Sequence, residues 1–152
     1  MAGAGLALGM LTLGYAVAIH AARTGFAPIP GVDPLGFLVV PVGDLVVFAT
    51  CVGAALYWRQ VAAVHKRLMW FATAMLTFAS VTRLPYVRGH TPAILLVFLA
   101  ILLIVPVYER LVDGRVHPVS AWGSALMFLE LPARRAIGAS AWWHTFAAWL
   151  IR

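Results

Sequence analysis

With 152 residues, of which 63% are hydrophobic and 11% charged, and a mean hydropathy of +0.94, this chain falls outside the composition of soluble domains, where charged residues make up about a quarter. The formal charge of +6 does not point to nucleic acid, because the basic residues sit in short stretches between apolar runs instead of forming one stripe. The expected partner is the lipid bilayer, and the single cysteine, Cys51, excludes a disulfide framework and a cysteine-ligated metal site.

Whole segments of about 20 residues are apolar on every side, the length that crosses roughly 30 Å of hydrocarbon. The expected fold class is therefore all-α: a single domain built as a transmembrane helix bundle of about five spans, over residues 3–22, 35–58, 66–84, 92–108 and 118–131, with a short interfacial helix over 141–150. The first span stops at Arg23 before a turn-rich stretch carrying Gly25, Pro28, Pro30, Gly31 and Pro34. A cleavable leader is the rival reading of this segment, since Ala16-Val17-Ala18 resembles a small-residue cleavage site; no Lys or Arg precedes the apolar run, so a retained helix is expected. The run also begins abruptly, as though upstream sequence were absent.

The second span exits through Tyr57, Trp58 and Arg59, an aromatic and cationic belt of the interfacial kind. The third begins at Lys66 and Arg67 and ends near Arg83-Leu84-Pro85, where Pro85 removes a backbone donor. The fourth is the purest apolar run; Pro106 should kink it or mark its last turn, and Glu109, Arg110, Asp113, Gly114 and Arg115 are expected to form a charged loop behind it. The fifth is short for a full crossing, apolar only from Val119 to Leu131 before Pro132, Arg134 and Arg135. In the last stretch Trp142, Phe146 and Trp149 share one helical face and are expected to lie in the interface. Basic residues divide almost evenly between the two sides of such a bundle, with a small lean toward a cytoplasmic N-terminus.

Asp44 is the most informative residue, because an acidic side chain in the middle of a span costs roughly 2.5 to 3.5 kcal/mol on insertion scales. The Leu, Val and Phe around it suffice to insert the segment, but its charge asks for a partner. Antiparallel helices bring Arg83 into the same half of the bilayer, with His20 and Glu130, so an intramembrane polar cluster of Asp44, Arg83, His20 and Glu130 is one expectation. The alternative lets Arg83 snorkel to the headgroups, Glu130 cap a helix end and Asp44 bond a hydroxyl such as Thr73 or Thr77.

Histidines on two levels, His20 and His90 toward one face and His65 and His117 toward the other, offer axial ligands for b-type haem. Against this, His65, His90 and His117 stand at helix ends beside Lys, Arg or Pro, where solvated histidine is ordinary, and His144 beside Trp142 and Trp143 reads as interfacial. The sequence holds no phosphate-binding glycine loop, no HExxH and no GxSxG, so soluble-type catalysis has no support and no cofactor or metal is expected. Gly5 and Gly9 form a GxxxG pattern that lets another helix approach closely.

The segment His65-Lys66-Arg67-Leu68-Met69, followed by Ala72-Thr73 and Arg83-Leu84-Pro85, resembles a family of uncharacterised bacterial multi-pass membrane proteins. The likeness continues through Pro41-Val42-Gly43-Asp44-Leu45, through Gly114 to Pro118, and through Trp122-Gly123. It covers nearly the whole chain and implies two further helices upstream in longer members, but no activity, cofactor or substrate. Residues and resemblance together favour a non-enzymatic membrane protein of the bacterial inner membrane. It would be a transporter-like module or an accessory subunit, set in a homo-oligomer or larger membrane complex, with Asp44 and Arg83 as the expected buried pair; a haem-binding redox protein is the alternative.

Overall fold

The computed structural model describes residues 2–26, 33–81 and 91–152, and among them every regular element is helical. The helices are α1 (Ala2–Arg23), α2 (Pro34–Phe37), α3 (Val39–Tyr57), α4 (Ala62–Val81), α5 (Thr91–Val112), α6 (Pro118–Gly138) and α7 (Ala141–Leu150). Among the described residues, three stretches, Gly3–Arg23, Pro34–Tyr57 and Pro92–Val112, are long and apolar enough to cross a membrane. Leu6, Leu13, Leu96 and Leu129 are each more than 60% exposed. In water such a surface would drive association, whereas lipid tails solvate it. The protein is membrane-embedded.

Helix ends follow local chemistry. α1 closes with a Schellman motif in which Gly25 takes φ +69°, Phe26 N–H donates to Ala21 O at 2.9 Å and Gly25 N–H to Ala22 O at 3.2 Å; a side chain at that φ would be strained. The α5 helix runs a full turn beyond the expected 92–108, so Glu109 and Arg110 are helical and not part of a loop. Both are good helix formers, and the chain turns out only where Gly114 adopts φ +69°. Likewise α6 continues through Pro132 to Gly138 instead of stopping at 131. Pro132 gives up only its own bond to Phe128 O, and the following Ala133, Arg134, Arg135 and Ala136 favour helix. The α4 helix starts at Ala62, earlier than expected, and its expected end at residue 84 lies outside the described residues.

The chain divides into two compact units, residues 1–49 with 131–152, and residues 50–130. In the first unit Ala18, Ala22, Leu38, Val39, Trp143 and Ala147 form the core. Asp33 caps α2 by accepting from Gly36 N–H at 2.6 Å, and Ser140 caps α7 by accepting from Trp143 N–H at 3.2 Å. Trp143 is 5% exposed, and its Nε1–H donates to Leu35 O at 2.8 Å, as a buried indole requires. Gly36 and Gly138 meet backbone to backbone: a Cβ on Gly138 would stand 2.8 Å from Gly36 O. Arg23 Nε donates to Ile151 O at 2.6 Å, tying the end of α1 to the end of the chain.

In the second unit Phe71, Ala74, Met75, Phe98, Leu102 and Met127 are buried, and the gap among them is only about 10 Å³, barely one water. Gly123 makes room for the Phe71 ring, which a Cβ there would overlap. Pro106 leaves Leu102 O without its helical donor. Ser124 Oγ, 22 residues on, donates to that carbonyl at 2.9 Å. In an apolar interior this substitution of a hydroxyl for the missing amide is what lets a proline stand inside a spanning helix.

Candidate functional site

Among the described residues, two buried ion pairs, one in each unit, are the candidate chemical centres for a site. In the first unit Asp44 is 7% and Arg134 is 9% exposed, and Arg134 Nη1 donates to Asp44 Oδ1 at 2.6 Å and to Val40 O at 3.3 Å. Val40 and Asp44 are one turn apart on α3, so the guanidinium lies along a single helix face. Gly43 opens that face: a Cβ there would come within 2.9 Å of Arg134 Nε. The sequence marks Asp44 as a residue in need of a partner and looks to Arg83, which lies outside the described residues. Arg134 is hidden from that reading because Pro132 suggests that the helix has already ended.

Thr73 and Thr77 donate to the carbonyls of Met69 and Thr73 on their own helix, both at 2.9 Å. His20 is exposed near the end of α1, in the same unit as Asp44, and Glu130 is a half-buried residue of the other unit.

The second centre was not foreseen. Arg67 Nε donates to Glu109 Oε1 at 2.6 Å and to Ser120 Oγ at 3.2 Å, while its Nη1 reaches Ala63 O at 2.5 Å. Ser120 Oγ donates to Glu109 Oε1 at 3.0 Å, and His117 N–H to Glu109 Oε2 at 2.9 Å. Both carboxylate oxygens are therefore occupied, as a buried carboxylate demands. A usable signal was present: the start of α4, the end of α5 and the start of α6 fall at one end of an antiparallel bundle, and each carries one polar member of the group.

Beside this pair opens a cleft of about 630 Å³ lined by Arg67, Asp113, Arg115, Val116, His117 and Pro118. His117 Nδ1 accepts from Val119 N–H at 3.2 Å, so in the neutral ring the proton sits on Nε2 and that nitrogen is a donor.

Among the histidines considered for haem, His65 uses Nδ1 against Ala55 O at 2.8 Å, His117 is engaged as described, and His90 lies outside the described residues. Among the described residues no three His, Cys, Asp or Glu side chains are grouped to hold a metal ion. At Gly5 and Gly9 an added Cβ would meet nothing within 4 Å, so among the described residues neither glycine serves a close helix approach.

Asp33 is an exposed carboxylate of the first unit, and its Oδ2 lies 2.9 Å from His144 Nε2. The Gly36 amide holds the Asp33 carboxyl below its ordinary value, and His144 adds to this. His144 is raised by its bond to Ser140 O and then by Asp33. Both ring nitrogens face acceptors, which favours the imidazolium.

The fold and these centres define a helical membrane protein held together by internal ion pairs. Comparison with family models, curated proteins and solved structures finds no match to this chain.

Proposed function

We propose that this chain is a non-enzymatic protein of the bacterial inner membrane that serves as an accessory subunit of a larger membrane assembly. It belongs, in this reading, with the multi-pass family that its motifs resemble. It crosses the bilayer five times, with α4 and α6 as the two spans beyond the three apolar stretches, and lays α7 in the interface. The observation that carries this reading is the engagement of Asp44 by Arg134 at 2.6 Å. A carboxylate in mid-span is the usual mark of an ion or proton path, but here it ties two helices together. The glycine side of α1, where no described residue would touch a Cβ at Gly5 or Gly9, supplies a face for a neighbouring helix, a second copy or another subunit.

The test is native mass spectrometry of the protein taken from its own membranes in mild detergent. A complex of fixed stoichiometry, lost in the Gly5→Leu, Gly9→Leu double variant while the chain stays folded, is expected. A lone chain that moves protons or solute when reconstituted into vesicles would replace this reading with the transporter-like one. The proposal includes no cofactor, so oxidised and reduced visible spectra should be featureless; a haem signature would overturn it and direct mutation to His20, His65, His90 and His117.

A further inference from the structure

The open end of the second unit is electropositive. The residues following α3 and those around the start of α4, the end of α5 and the start of α6 include Arg59, Lys66, Arg67, Arg110 and Arg115, against the acids Glu109 and Asp113. Arg67 and Glu109 neutralise one another, and Arg110 is turned onto Gly114 O. Lys66 and Arg115 are exposed to solvent. The cleft sits within this field, and three of its lining residues carry donors: Arg115, the buried Arg67 and His117, whose Nδ1 is already taken up by Val119 N–H. Pro118 begins α6 at the cleft wall, which brings the positive end of that helix dipole to the same place.

Depth in the membrane narrows the ligand. Asp113 and Arg115 follow directly on the apolar stretch Pro92–Val112, so the cleft opens at headgroup level just past the end of a spanning helix. Asp113 also lines it. One carboxylate among the donors penalises a dianion more than a monoanion, and the phosphate of a phosphodiester is a monoanion.

We infer that the cleft lined by Arg67, Arg115 and His117 is a binding site for a phosphate group carried as a diester, the group presented by a phospholipid head. Arg67 is fixed in advance by Glu109, Ser120 and Ala63, so it supplies a donor without ordering cost. Arg115, exposed at the cleft, is the member that turns onto the ligand, and Asp113 limits the charge accepted. The site does not depend on the accessory-subunit reading.

Native mass spectrometry of the detergent-solubilised protein, titrated separately with phosphatidylglycerol, phosphatidylcholine and inorganic phosphate, tests the inference. Phosphatidylglycerol should bind most tightly. Arg115→Gln should weaken it about fivefold, the effect of one cation at a lipid surface. Arg59→Gln, an exposed cation outside the cleft, should change it less than about twofold, and Asp113→Asn should strengthen it. Competition by millimolar inorganic phosphate, abolished in Arg115→Gln, would keep the phosphate site and make a free phosphate its source. Equal losses in Arg115→Gln and Arg59→Gln would reveal a general surface field and overturn the site, as would no loss in either.

Discussion

Arg134 reaches Asp44 across 90 residues of chain, Nη1 to Oδ1 at 2.6 Å, with both side chains about nine-tenths buried. Removing one member of such a buried pair costs about 3 to 5 kcal/mol, whereas removing both loses much less. Asp44→Asn and Arg134→Gln are each expected to lower the thermal midpoint in mild detergent by several degrees. The double variant should fall short of the summed losses by more than about 1 kcal/mol. Strict additivity would show that the two residues act independently. Gly43→Ala should reproduce part of the Arg134 loss, since its methyl occupies the path of the guanidinium.

The Arg67 group predicts an order of effects within one cluster. Glu109→Gln removes the negative charge that Arg67, Ser120 and the His117 amide all serve, and should cost about 3 kcal/mol. Ser120→Ala deletes one hydroxyl from a network that keeps its ion pair, and should cost about 1 kcal/mol. Denaturant unfolding monitored by tryptophan fluorescence gives both values. If Ser120→Ala proved the more damaging, the carboxylate would not be the centre of the group.

How far the sequence reaches can be judged from these same residues. The apolar stretches around Leu6, Val46 and Leu96 are legible as membrane segments, because an apolar run of about 20 residues matches the thickness of the hydrocarbon core. Asp44 is equally legible as a residue needing compensation. Its partner Arg134 is not, because Pro132 reads locally as a stop, whereas in the fold it costs one hydrogen bond and the helix runs on to Gly138. Glu109 is misplaced for the related reason that a charged residue after an apolar run looks like loop, and only Arg67 and Ser120, 42 and 11 residues away, make its burial affordable. Short-range pattern locates helices well; it does not carry the long-range pairing that decides where a helix bearing charge can end.

Docking of α7 should depend on pH. The Asp33 carboxyl is held below 3.8, first by the Gly36 amide and then by His144. His144 is raised above 6.5, first by Ser140 O and then by Asp33. A raised histidine stabilises fully below its unfolded value and loses that contribution as pH rises through its folded value, so the contact weakens above about pH 6.5. A lowered carboxyl stabilises above its unfolded value and loses that contribution as pH falls through its folded value, so the acid-side loss begins below about pH 3.8. Protease protection of the C-terminal segment should therefore be greater at about pH 5.5 than at about pH 8.5. His144→Gln should remove the difference, and its persistence would assign the effect to another group.

Pro106 and Ser124 make the sharpest test of how the second unit tolerates a proline inside a spanning helix. Leu102 is 4% and Ser124 is 8% exposed, and the Ser124 hydroxyl donates at 2.9 Å to the carbonyl that Pro106 deprives of its amide donor. Ser124→Ala should leave that carbonyl unsatisfied where no water can reach it, at a cost of about 1 to 3 kcal/mol. Pro106→Ala restores an N–H at residue 106 that can bond Leu102 O along the helix, so it should stabilise the protein or leave it unchanged. In the Pro106→Ala background Ser124→Ala should then cost little, because the carbonyl already has its donor. The coupling should appear as a difference of more than about 1 kcal/mol between the two backgrounds. An undiminished cost would mean that Ser124 supports the fold through its packing alone, and that Leu102 O finds its hydrogen bond elsewhere when α5 relaxes.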